Sequence, residues 1–100
     1  MKKSVLFRNQ QNYIERFDDG DAVILDEEKQ YTHLLNVTAL QIYDLCDGRT
    51  CEEVIKEFLD SYRVNDILAH ENFNNIRVDV SELIRDFLQK GIIYEEANNS

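Results

Sequence analysis

Proline and tryptophan are absent from the 100 residues, and glycine and cysteine are scarce, at three and two. Two cysteines do not make a disulfide framework. Three separated glycines cannot form a glycine-rich phosphate loop. Basic residues are also few: 11 lysines and arginines face 20 aspartates and glutamates, a net charge of −9. Phosphate backbones need a basic surface, so this balance argues against a general nucleic-acid binder. The longest apolar run, Ala22 to Leu25, is far too short to span a membrane. Arg8 and Asn9 end the Ser4–Phe7 run too early for a signal peptide.

What remains is the composition of a small folded unit. Apolar residues make up 43% and ten aromatics are present, at regular spacing, which argues against disorder despite the charge. The length suits one domain with one core. The expectation is a soluble, cytoplasmic, single-domain protein.

Met1 to Gln10 reads as a loose polar arm. From Asn12 the pattern alternates, with Tyr13, Glu15 and Phe17 on one face and Ile14 and Arg16 on the other. Asp18-Asp19-Gly20-Asp21 is a turn, since Gly20 can take positive φ. Ala22 to Leu25 reads as a strand. Asp26 to Lys29 makes a second turn, and Gln30 to Leu35 a third strand, with Tyr31, His33 and Leu35 on one face. Connections of about four residues suit hairpins, so the three strands form an antiparallel meander.

At Asn36 the period changes from two to 3.6. Asn36 or Thr38 can cap a helix whose buried face carries Ala39, Ile42, Tyr43 and Cys46, broadened by Leu40 and Leu45. Asp47-Gly48 stops it. Thr50 and Glu53 form a capping box for a second helix with stripe Val54, Ile55, Phe58, Leu59 and Tyr62. Val64 to Ile76 reads as a long connection with one helical turn near Ile67. A third helix is predicted from Val78 to Lys90, with Val80, Leu83, Ile84, Phe87 and Leu88 on one face and Gly91 at its end. Ile92 to Tyr94 packs back on the core, and Glu95 to Ser100 is a polar tail. The ordered core thus spans about 11–94.

No catalytic constellation emerges. His33 and His70 lie on different elements. Cys46 and Cys51 do not have zinc-ligand spacing and no second pair completes a site. Cys46 follows a core stripe and reads as a buried structural thiol. Cys51 sits in the first turn of a helix, where the dipole favours a thiolate, but it lacks a partner. No enzyme, cofactor or metal is expected. Residues 36–76 hold most of the charge, net −5, while residues 77–90 are balanced. The plain reading of the acidic stretch is a solvated surface, and the functional one a docking face for a basic partner.

Three strands followed by three helices is a winged-helix order with the sheet first, an α+β fold. Leu35-Asn36, Thr38-Ala39, Ile42-Tyr43 and the Asp47-Gly48 stop together resemble the PqqD family, named for a protein of pyrroloquinoline quinone biosynthesis. Glu52-Glu53-Val54-Ile55 matches that family's second helix. Asp79-Val80, Leu83-Ile84 and Phe87-Leu88 followed by Gly91-Ile92-Ile93 match its third. The match covers roughly 13–94. The connection 64–76 is longer than in typical members, so specificity does not carry over.

The resemblance implies a recognition element for ribosomally made, post-translationally modified peptides. Such a protein binds the leader of a precursor and presents its core to a maturation enzyme: a radical S-adenosylmethionine enzyme, a leader protease or a cyclase. The leader adds as a strand to the third strand and packs against the third helix. The matching positions here are Lys29, Gln30, Tyr31, Thr32, His33 and Leu34, with Val80, Leu83, Ile84 and Phe87. If that helix lines the site, Val80 or Ile84 is expected to be partly exposed. The edge strand supports the mode physically, because it contains no proline and only one gatekeeper, Lys29. A second copy or the chain's own tail is the competing occupant of that edge. A monomer is expected, with a swapped or edge-paired dimer as the alternative. A winged-helix DNA-binding regulator is the alternative function, but its third helix should be basic and this one is not.

Overall fold

The computed structural model describes residues 3–26, 31–65 and 73–98. The meander forms where alternation places it: β2 (Tyr13–Arg16), β3 (Ala22–Asp26) and β4 (Tyr31–Leu35) make one antiparallel sheet in the order β2-β3-β4. The β2–β3 turn is closed by the Phe17 N–H donating to the Asp21 carbonyl (2.8 Å), and Gly20 adopts φ 97°. In β3 the side chains of Ala22, Ile24 and Asp26 are buried and those between them half-exposed, the period-two signature of a sheet with one covered face.

The helices of the described residues pack into one core with it. In α1 (Val37–Leu45) Ala39, Leu40, Ile42 and Tyr43 are buried. Asn36 is its cap, the side-chain oxygen accepting from the Ala39 N–H at 2.8 Å. In α2 (Cys51–Asn65) the Thr50 hydroxyl accepts from the Glu53 N–H (3.1 Å) while the Glu53 carboxylate accepts from the Thr50 N–H (3.0 Å), so the capping box forms as read. Val54, Ile55, Phe58 and Leu59 enter the core. From α3 (Phe73–Lys90) come Val80, Ile84 and Phe87. Each such side chain contributes about 1.5–3 kcal/mol by leaving water.

The chain ends depart from expectation. In place of a loose arm and a polar tail, β1 (Lys3–Arg8) and β6 (Ile93–Asn98) pair along their full length, from Lys3 opposite Asn98 to Arg8 opposite Ile93. The short β5 (Asp47–Arg49) joins the other side of β1. Among the described residues the fold therefore has two three-stranded antiparallel sheets and three helices, not the single sheet that the winged-helix order implied. Leu6 anchors β1 in the core at 2% exposure, and Ile92 and Ile93 bury beside it. Asn9 secures the junction: its N–H donates to the Ile92 carbonyl and its side-chain amide to that of Gly91, both at 3.0 Å.

The third helix also begins earlier than its apolar stripe, at Phe73 instead of Val78, and the second runs to Asn65. The helical turn expected near Ile67 lies outside the described residues. Among those residues, no helix is long and apolar enough to cross a membrane.

Candidate functional site

Sheet parity sorts the β4 side chains. Leu35 opposes Ala22 and His33 opposes Ile24, so these share the inner face. Leu34 and Thr32 point the other way and are exposed, Leu34 at 71%. Among the described residues β4 pairs with β3 alone, leaving its second side as a free edge.

A groove of about 530 Å³ runs between this strand and α3. Thr32, His33, Leu34 and Leu35 form one wall, and Leu83, Asp86, Phe87 and Lys90 the other. Ala39 and Ile92 contribute apolar floor, while Asp21, Asn36 and Thr38 line the end where β4 runs into α1. The α1 wall is there because the Asn36 cap turns the chain sharply from strand to helix.

Of the ten positions matched to the family, the groove brings together Thr32, His33, Leu34, Leu83 and Phe87. Val80 and Ile84 are not among its lining residues. They are buried core at 2% and 3% exposure, which corrects the expectation that one of them is partly open. The reason is helical rotation: Val80, Ile84 and Phe87 form the centre of the buried face, while Leu83, at its edge, is only partly buried and lines the groove. Phe87 is 1% exposed, and so serves the core while touching the groove. Tyr31 lies in the strand, whereas Lys29 and Gln30 fall outside the described residues. Sequence reasoning missed Asp21, Asn36, Thr38, Asp86 and Lys90. Asn36 was legible as a cap, but its second role depends on α3 docking beside it.

The groove's charge is unevenly compensated. Lys90 holds Asp86 at 2.9 Å, a helical i,i+4 pair. Asp21 has no side-chain partner among the described residues; its main chain alone is bonded, through its N–H to the Asp19 carboxylate (3.0 Å) and its carbonyl to Phe17.

Elsewhere, Asp44 of α1 is gripped by two arginines, bidentately by Arg16 at 2.8 and 3.0 Å and at 3.5 Å by Arg8. Arg8 also sits 5.9 Å from the Tyr43 ring centre. Cys46 is buried, its thiol donating to the Ile42 carbonyl at 3.3 Å, and burial pushes its pKa up to about 12. Burial raises Cys51 as well, countering the dipole effect expected of a helix start. Among the described residues no group of three potential metal ligands gathers. A shallower recess of about 360 Å³ between α1 and α2 contains none of the matched positions.

A family model described as coenzyme PQQ synthesis protein D (PqqD) matches residues 21–93. Among solved structures, TbiB1 in complex with the TbiA(beta) leader peptide is similar in fold, with a TM-score of 0.64 over 87% of this chain and 93% of that one at 16% identity. No curated protein matches the chain at a significant level.

Proposed function

Since the chain belongs to the PqqD family, we propose that it is a non-catalytic adaptor that captures the leader of a ribosomally made precursor peptide and presents it to a maturation enzyme. The observation that carries this reading is the free edge of β4 beside the groove against α3. An extended peptide added to β4 would exchange main-chain hydrogen bonds with it and place alternate side chains over Leu83 and Phe87. Main-chain pairing supplies affinity and the groove supplies selection. The structural relative was solved with a leader peptide bound, which supports the same role here. The enzyme partner is a radical S-adenosylmethionine enzyme, a leader protease or a cyclase, and the adaptor works as a cytoplasmic monomer. The DNA-binding alternative is disfavoured by α3 itself, where Arg77 is engaged by Glu52 at 2.5 Å and Asp79 and Glu82 are exposed.

Fluorescence anisotropy tests the proposal. A search of the neighbouring genes for a short precursor reading frame would supply two probes, its leader and its core. The leader should bind with micromolar or tighter affinity and the core far more weakly. Equal binding of both contradicts leader recognition.

A further inference from the structure

Resting on the peptide-capture reading, we infer that the groove selects peptides carrying a basic side chain at the position that falls beside Asp21. The argument is one of charge compensation. Three charged residues line the groove besides His33: Asp21, Asp86 and Lys90. The single lysine among them is held by Asp86. Outside the groove, Arg8 and Arg16 are engaged by Asp44, Arg49 by Asp47 and Arg77 by Glu52. Lys56 and Arg85 do not line the groove. The chain as a whole carries −9. No described side chain therefore neutralises Asp21, and an incoming lysine or arginine gains an ion pair that an acidic residue would turn into repulsion.

The register locates this basic residue. Asp21 immediately precedes Ala22, which opposes Leu35, and so it marks the Asn36 end of β4. A peptide added antiparallel to β4 brings its N-terminal part to that end. The basic residue then falls in the N-terminal part of the bound segment. Parallel addition reverses this.

Selection from a display library of random-sequence peptides tests the inference on the whole chain. Binding that is lost in Leu83→Asn identifies groove-dependent peptides, and thermal unfolding of each variant confirms its fold. Selected peptides are resynthesised with Lys, Gln or Glu at the basic position. Wild-type protein should prefer Lys over Glu by roughly two- to fivefold, as for a partly exposed ion pair. Asp21→Asn should abolish the preference and Asp21→Lys should reverse it. Groove-dependent peptides with no basic preference, or with one that Asp21→Asn leaves intact, overturn this inference while leaving peptide capture standing. Failure to select any peptide that depends on Leu83 overturns both.

Discussion

His33 stands directly opposite Ile24 across the β3–β4 pair, and the two share the sheet's inner face. Ile24 is fully buried, whereas His33 is half-buried and lines the groove. The core thus closes over Ile24 and over Leu35 at the α1 end of the edge strand but leaves His33 partly open. The opening at His33 leaves room for a peptide beside β4.

A similar division separates core from groove on α3. Ile84→Ala should cost about 2–5 kcal/mol of stability, because truncating a buried side chain loses transfer energy and leaves a cavity. Leu83→Ala should weaken peptide binding with little change in melting temperature. Denaturant titration and anisotropy on both variants check this. A Leu83 variant that loses stability as heavily as Ile84→Ala while binding normally would move the groove elsewhere.

The grip of Arg16 on Asp44 joins the meander to α1, but both side chains are well exposed, at 48% and 39%. Solvent screening keeps such pairs small. A double-mutant cycle of Arg16→Gln and Asp44→Asn should give a coupling of about 0.5–1 kcal/mol at low salt. The coupling should shrink toward zero near ~1 M salt, where the Debye length falls to about 3 Å. A large coupling that persists in high salt would assign this clasp a more than peripheral role.

Cys46 makes a pH prediction. Its folded pKa, about 12, lies above that of the unfolded chain, so the native state keeps a proton that the unfolded state releases. The stabilisation is complete below about pH 8.5, the ordinary thiol value. It is lost progressively as pH rises from there toward 12, by at most ~1.4 kcal/mol per pH unit. Cys46→Ser should flatten that part of the stability profile. The double variant Cys46→Ser, Cys51→Ser should retain peptide affinity. A tenfold weaker affinity in folded double variant would reveal a redox or metal role.

Local signals carried the meander and the helix starts. The Asp18–Asp21 turn, the Asn36 cap and the Thr50–Glu53 box each act within a few residues, and each forms in the structure. The second sheet was not legible, because β1 and β6 pair residues some ninety positions apart, as Lys3 with Asn98 does. Neither strand shows a clear alternating face: among their described side chains only Leu6 in β1 and Ile93 in β6 are buried. The early start of α3 was hidden for a related reason. Asn75, Arg77, Val78 and Asp79 are exposed and Ile76 is only partly buried, so residues 75–79 carry little of a buried stripe. In the groove, the β4 edge was readable from composition and alternation. Which α3 residues face it depends on how the helix is rotated against the core, and that brought in Asp86 and Lys90 while removing Val80 and Ile84.

Strand addition is the central claim, and proline substitution at two adjacent residues tests it most directly. Successive N–H groups along an edge strand point alternately toward the neighbouring strand and toward the open side. Thr32 and His33 are consecutive in β4, so one donates toward β3 and the other outward. Proline removes the donor and is tolerated only where it faced outward. Thr32→Pro and His33→Pro should therefore divide. One loses a ladder bond and is destabilised by about 1–3 kcal/mol. The other stays folded yet binds leader poorly. Thr32→Val and His33→Gln, which keep the N–H, separate side-chain from main-chain effects. If both proline variants fold and bind leader as the parent does, the peptide does not add to β4 and the account is wrong.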